Sequence, residues 1–323
     1  MENRSVKSGK MERRAFLRIS LGVFAVGFFW ASVSIAGRFM SKWFPGMLKN
    51  DDLWRLLFNT LAYLAAALIL WLFLKGLPKL DNEPKQKMKA AAFVGYVCTM
   101  RGAATMLSVA GAMVYLLVTL VVKGPQNLTD ALRESNPFLL SAPLTMAVDM
   151  VLICIVAPVM EELMFRRLLL DALRPFGDAV AILYSGVAFG LLHMNFQQFF
   201  YASGLGLMLG YVMARTNDLR YCIGLHAALN TMSAVFIPLF GNVDMANLNL
   251  RASAAFFSLL GVILVVSVTG IVLFVANVKK VRLEKPRFRF TVPINGKLVL
   301  LSAGTIPYIL VCVSMAVYYV YIA

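Results

Sequence analysis

The 323-residue chain contains only two histidines, His193 and His226. Both lie in long apolar runs, as does the adjacent acidic pair Glu161-Glu162. Imidazoles and carboxylates are the side chains that most often move protons near neutral pH, and both can bind metal. A charge at the centre of a bilayer costs about 3 kcal/mol on insertion scales, so ionisable groups in apolar helices are candidates for function. Three short units hold these groups: Glu161-Glu162-Leu163-Met164-Phe165-Arg166, Phe189-Gly190-Leu191-Leu192-His193 and His226-Ala227-Ala228-Leu229-Asn230. On a helix, Glu162 and Arg166 are one turn apart and can pair. Glu161 points about 100° away from Glu162, which leaves it for chemistry. His226 and Asn230 share a face by the same spacing.

The elements that must carry these units follow from composition. The chain is 60% hydrophobic and 15% charged, with mean hydropathy +0.76, which points to a multi-span membrane protein. A span needs about 20 apolar residues, and about nine runs qualify. They are Ile19 to Ala36, Leu56 to Leu74, Gly102 to Val122, Pro137 to about Leu170, Ala179 to Asn195, Phe196 to Ala214, Tyr221 to Phe240, Ala252 to Asn277 and Leu298 to Ala323. The expected fold is an all-α polytopic bundle. With the N-terminus inside, 24 of the 31 Lys and Arg fall on the inner side, including the Lys279 to Arg289 stretch, so the positive-inside rule predicts N-in and C-out. The formal net charge of +15 is then topogenic, suited to anionic headgroups rather than to nucleic acid, and no nucleic-acid partner is expected.

The hairpin geometry brings the units to one depth. Pro175-Phe176-Gly177 breaks the chain, with Glu161 16 residues before Gly177 and His193 16 after it. In an antiparallel pair the two are level, about 24 Å from the turn along the helices. The turn Thr216 to Arg220 is also on the inner side, and His226 lies about 13 Å beyond it. Arg166, Arg167, Asp171 and Arg174 suggest that the hairpin end projects from the hydrocarbon, so the predicted site faces a cavity open to cytoplasmic water. Pro158, three residues before Glu161, would open helix bonding there. Asp149, 12 residues before Glu161, falls about 120° round the helix and is left out of the site.

Other features read as structural. Glu12-Arg13-Arg14-Ala15-Phe16 before an apolar run resembles a twin-arginine signal, but the 18-residue run is longer than a usual signal core and reads as a first anchor. Cys98, Cys154, Cys222 and Cys312 show no metal or redox spacing.

The ordered series EExxxR, FxxxH and HxxxN, with the only two histidines, resembles the CAAX-prenyl-protease and bacteriocin-processing (CPBP, Abi) family of intramembrane proteases, which includes the Ras-converting enzyme. The resemblance covers residues 137–240, flanked by 1–136, with the N-terminal anchor and flanking spans, and by 241–323, with two spans and a basic loop. It implies hydrolysis of a peptide bond in a membrane-embedded or membrane-associated peptide or protein. Glu161 would be the general base, His193 would hold or activate water, and His226 and Asn230 would stabilise the oxyanion. Glu162 and Arg166 would orient the first motif. Glu161, His193 and His226 could also supply the three protein ligands of a catalytic zinc, although the HExxH pattern is absent and metal-free glutamate chemistry is slightly favoured. The expected location is a bacterial plasma membrane, with a peptide precursor as the favoured substrate class. Two other classes stand beside this reading. A transporter or proton relay would show an internal repeat, which the sequence lacks, and a catalytically silent immunity or scaffold protein would tolerate loss of the site residues.

Overall fold

A charge-poor, leucine-rich chain satisfies its backbone in hydrocarbon only by forming helices. The computed structural model describes residues 2–43, 52–77, 87–127, 143–241, 250–284 and 302–322, and they form helices joined by short connections, with no strand among the described residues. We number the helices α1 (Glu2–Trp43), α2 (Asp52–Leu74), α3 (Ala90–Lys123), α4 (beginning Pro143–Val151 and ending Asp171–Leu173), α5 (Asp178–Leu192), α6 (Phe196–Thr216), α7 (Leu219–Gly241), α8 (Leu250–Asn277) and α9 (Thr305–Ile322). Four stretches are long and apolar enough to cross a membrane: Glu12–Met40, Trp54–Leu74, Ala90–Lys123 and Leu260–Lys280. Shorter apolar helices run Asp178–Leu192 and Thr305–Tyr321. The described residues are all-helical, with the apolar helices of a membrane protein.

Helix ends differ from the expected spans where polar residues continue a helix that hydropathy alone would stop. The expected third span starts at Gly102, whereas α3 begins twelve residues earlier and carries Arg101 within its length. Residues 137–142 and 298–301, expected to begin two spans, and most of the basic loop, 285–300, lie outside the described residues.

The core is the second half of α4. Met164, Leu169, Leu170 and Leu173 are fully buried, and α5 and α6 pack closely on each other and, with α7, around this segment. Small residues set that closeness, because packing rather than hydrophobic expulsion drives helix association in lipid. A Cβ on Gly186 would stand 2.8 Å from the Leu207 backbone nitrogen, and one on Gly206 2.8 Å from the Gly186 carbonyl oxygen. Helices α3 and α8 meet in the same way at Gly102, where a Cβ would stand 2.6 Å from the Ser267 carbonyl oxygen. On the other flank, α1 packs on α2 and α9, burying Phe16, Ile19, Val23 and Val26.

The turns are local consequences of sequence. Gly177 takes φ 103°, a conformation open to glycine, and separates α4 from α5. Asn195 caps α6 by accepting from the Gln197 and Gln198 amides at 2.8 and 3.3 Å. Asn217, in the left-handed region at φ 52°, closes it. The two turns are then tied together: Arg174 reaches Asp178 at 3.5 Å and donates to Asn217 at 3.1 Å. Gly186→Leu should therefore force α5 from α6 and lower stability by about 1–3 kcal/mol; a lower thermal midpoint of the detergent-solubilised protein, with no such loss for Gly261→Leu, where a Cβ meets nothing within 4 Å, would bear this out.

Candidate functional site

Helix α4 is not a uniform α-helix. It has a wide π turn at Leu152–Val156, an α segment at Ala157–Glu162, and a second π stretch at Leu163–Leu170. Such turns often mark functional positions because they re-aim side chains and free backbone groups. In the first one the Ala157 amide bonds to the Leu152 carbonyl, five residues back. The same register would give the Ile153 carbonyl to residue 158, but Pro158 has no N–H. Asn230 fills that place, donating from Nδ2 to the Ile153 oxygen at 2.8 Å. The proline before the acidic pair and the asparagine after His226 are thus two halves of one contact.

One turn further on, Glu162 and Arg166 form an ion pair at 2.9 Å, both completely buried. Glu162 also accepts from His226 Nδ1 at 2.9 Å. Because the carboxylate can only accept, Nδ1 carries the proton and Nε2 points onward. It points at Glu161, whose Oε2 is 3.8 Å away. That gap is too long for a direct hydrogen bond, and a water can bridge across such a span. The Glu161 side chain keeps 12% of its exposure. Its other oxygen accepts from the Tyr63 hydroxyl at 2.8 Å.

His193 stands at the C-terminal end of α5. Its Nδ1 lies 3.0 Å from the Phe189 carbonyl, so it is the donor and the neutral ring presents Nε2 as an acceptor. The Phe189 ring organises the surroundings: His193 meets it edge-on at 5.0 Å, His226 at 5.7 Å and Phe165 at 5.3 Å, and the Arg166 guanidinium lies over it at 5.2 Å. Residues of all three sequence units therefore touch one another directly or through this ring.

Tyr63, Tyr201, Arg101 and Ser233 are not singled out by the sequence motifs. Tyr63, on α2, is the contact that matters most, and a lone tyrosine in a leucine- and alanine-rich span gave only a faint signal. Tyr201, on α6, is within electrostatic range of both Glu161 and Arg101, and Arg101 donates to Ser233 on α7 at 3.3 Å. Asp149, outside the expected site, is paired with Arg55 at 2.6 Å.

Glu161, His193 and His226 are the ligands a zinc could draw on in the sequence reading, which slightly favours metal-free chemistry. Among the described residues no three His, Cys, Asp or Glu side chains converge as metal ligands. Glu161 and His226 approach each other, but the third donor does not join them. The arrangement as it stands does not fit such a centre.

Residues 143–232 match the model of the Rce1-like family, described as type II CAAX prenyl endopeptidases. The match runs from the start of α4 into α7. This Rce1-like segment holds the Glu161-Glu162 pair, Arg166, both histidines and Asn230, whereas Tyr63, Arg55 and Arg101 come from outside it. No curated protein and no solved structure matches the chain.

Two outcomes are expected. Pro158→Ala restores an N–H that competes with Asn230 for Ile153, so Asn230→Ala should cost about 1 kcal/mol less stability in that background; equal costs in thermal unfolding would refute the shared carbonyl. Arg166→Ala leaves Glu162 as an uncompensated buried charge and should destabilise by about 3–5 kcal/mol, well beyond the loss in Arg167→Ala, whose ion pair with Asp171 has a 35% exposed arginine.

Proposed function

We propose that the chain is an intramembrane endopeptidase that hydrolyses a peptide bond in a membrane-associated peptide or protein. The observation that carries this reading is the partly exposed Glu161 carboxylate, held by Tyr63 and 3.8 Å from a histidine that Glu162 fixes. A positioned carboxylate beside a fixed imidazole is the equipment of general acid–base hydrolysis. The Rce1-like match supports the same class, since the family is described as a CAAX endopeptidase family.

In the proposed reaction Glu161 takes a proton from water while His193 Nε2 accepts from the water's other hydrogen. The oxygen adds to the peptide carbonyl carbon. As the imidazolium, His226 donates from Nδ1 to Glu162 and from Nε2 to the resulting oxyanion, which the second N–H of Asn230 also meets, and donors in a water-poor site have their largest effect there. Glu161 then passes its proton to the departing amine nitrogen, and the C–N bond breaks. Glu162 and Arg166 act on His226 by holding it. No step of this proposal runs through a metal.

The further reading is a chain of about nine spans, N-in and C-out, in a bacterial plasma membrane, with its site toward the cytoplasm. Its support is the run of charged turns at one end of the bundle, Arg167 with Asp171 at 3.2 Å, Arg174 with Asp178 at 3.5 Å and Arg220 with Asp218 at 2.7 Å. The substrate class favoured is a peptide precursor or lipid-anchored protein tail presented at that face.

Glu161→Gln should lower turnover by at least about 10²-fold, and His193→Ala by a similar order. The measurement is cleavage of a prenylated and an unprenylated C-terminal peptide by protein in liposomes, together with membrane peptidomics of cells carrying each variant. Full cleavage by Glu161→Gln, or no precursor accumulating in its cells, would sink the proposal. Chelation should leave the rate unchanged; activity lost to a chelator and restored by zinc would replace glutamate chemistry with metal chemistry. Tyr63→Phe should reduce kcat about tenfold with KM unchanged, the effect of losing one hydrogen bond to a charged group.

A further inference from the structure

Away from the catalytic groups, an apolar cavity of about 600 Å³ opens at the other end of α5. It lies between α3, α5, α6 and the end of α8, with Gly95, Thr99, Ile182, Met208 and Phe274 among its walls. Ile182 precedes His193 by 11 residues, about 16 Å along the helix. Several wall and rim residues are open to the outside: Leu183 is 57% exposed, Phe274 46% and Val278 43%. These are large apolar side chains at the lateral surface of a membrane protein, where the neighbouring medium is lipid chain.

The mouth of the cavity is cationic. Lys280 is part of its lining and donates to Asn277 Oδ1 at 3.0 Å, a neutral partner. Lys279 and Arg282 are exposed beside it, and Arg215 lies within electrostatic range of Tyr96, another wall residue. The acids at this end are Asp178, which faces Arg174 at 3.5 Å and accepts from the Glu284 amide, and Glu284 itself. Positive charge therefore predominates among the described residues around the opening. An apolar slot entered from the side and ending in lysines matches one molecule of the surroundings: a lipid with long chains and a negative head.

We propose that this cavity is a binding site for an anionic glycerophospholipid, its acyl chain lying between α3, α5, α6 and α8 and its phosphate against Lys280, with Lys279 and Arg282 beside it. The chain satisfies an apolar volume that water would fill poorly. The cations supply the headgroup preference that distinguishes this site from general lipid contact. Occupancy would join α8 to the α5–α6 pair, and it does not depend on the peptidase reading.

The test uses full-length protein in nanodiscs of equal parts phosphatidylglycerol and phosphatidylcholine, with retained lipid identified by native mass spectrometry. Wild type should keep phosphatidylglycerol in preference. The triple variant Lys279→Ala, Lys280→Ala, Arg282→Ala should lose that preference, by about fivefold for each cation in contact with the phosphate. Gly95→Leu should fill the slot and lose both lipids, since a Cβ there meets nothing within 4 Å; Gly261→Leu, equally open and remote from the cavity, should keep them. The surface charge variant decides the matter alone if Gly95→Leu fails to fold. Equal retention of the two lipids by wild type, an unchanged ratio in the triple variant, or undiminished lipid in a folded Gly95→Leu protein would overturn the assignment. Displacement by free farnesol to the same extent in wild type and triple variant would also overturn it, by making the slot an isoprenoid site.

Discussion

The structure turns on a complete ion pair, Glu162 with Arg166, held where neither partner has any exposure. Removing two charges from water costs several kcal/mol each and is repaid only by good geometry and further hydrogen bonds. His226 supplies one such bond to Glu162, and the Arg166 guanidinium lies over the face of Phe189 in a cation–π contact. Because a lone member would be costly, α4, α5 and α7 are constrained to meet at this level. Fixing His226 through Nδ1 is a consequence of that demand, and the direction of its second nitrogen toward Glu161 follows in turn.

Around the pair, backbone irregularity and side-chain chemistry are matched. The π turn at Leu152–Val156 and the missing N–H of Pro158 would leave the Ile153 carbonyl without a donor in a place where water is scarce. Asn230 supplies one. The defect and its remedy lie 72 or more residues apart in sequence and on different helices, so the contact also fixes the register of α7 against α4.

Much of this is legible in the amino-acid sequence. The i, i+4 spacing of Glu162 and Arg166 announces their pairing, because helix periodicity is local. The breaks at Gly177 and Asn217 are equally local, resting on backbone conformations that few residues tolerate. What could not be read depends on which helices become neighbours: Tyr63 on Glu161, Arg55 on Asp149, Arg101 on Ser233. Each joins residues more than 90 positions apart, and nothing in a hydropathy profile says which span will bring a polar residue to a given partner. The π turns were also hidden, since Pro158 signals disturbance but not the wider register that accommodates it.

Tyr63 has a meaning for the modularity of this protein. The Rce1-like segment brings its own buried ion pair, both histidines and Asn230, and in that respect it is self-sufficient. Its outermost carboxylate is not, because the donor that holds one oxygen of Glu161 belongs to α2, which packs on the N-terminal helix. Excised from the chain, residues 143–232 would lose the hydroxyl that holds the partly exposed Glu161. The boundary of the family domain and the boundary of the working unit are therefore different lines, and the N-terminal helices belong to the second.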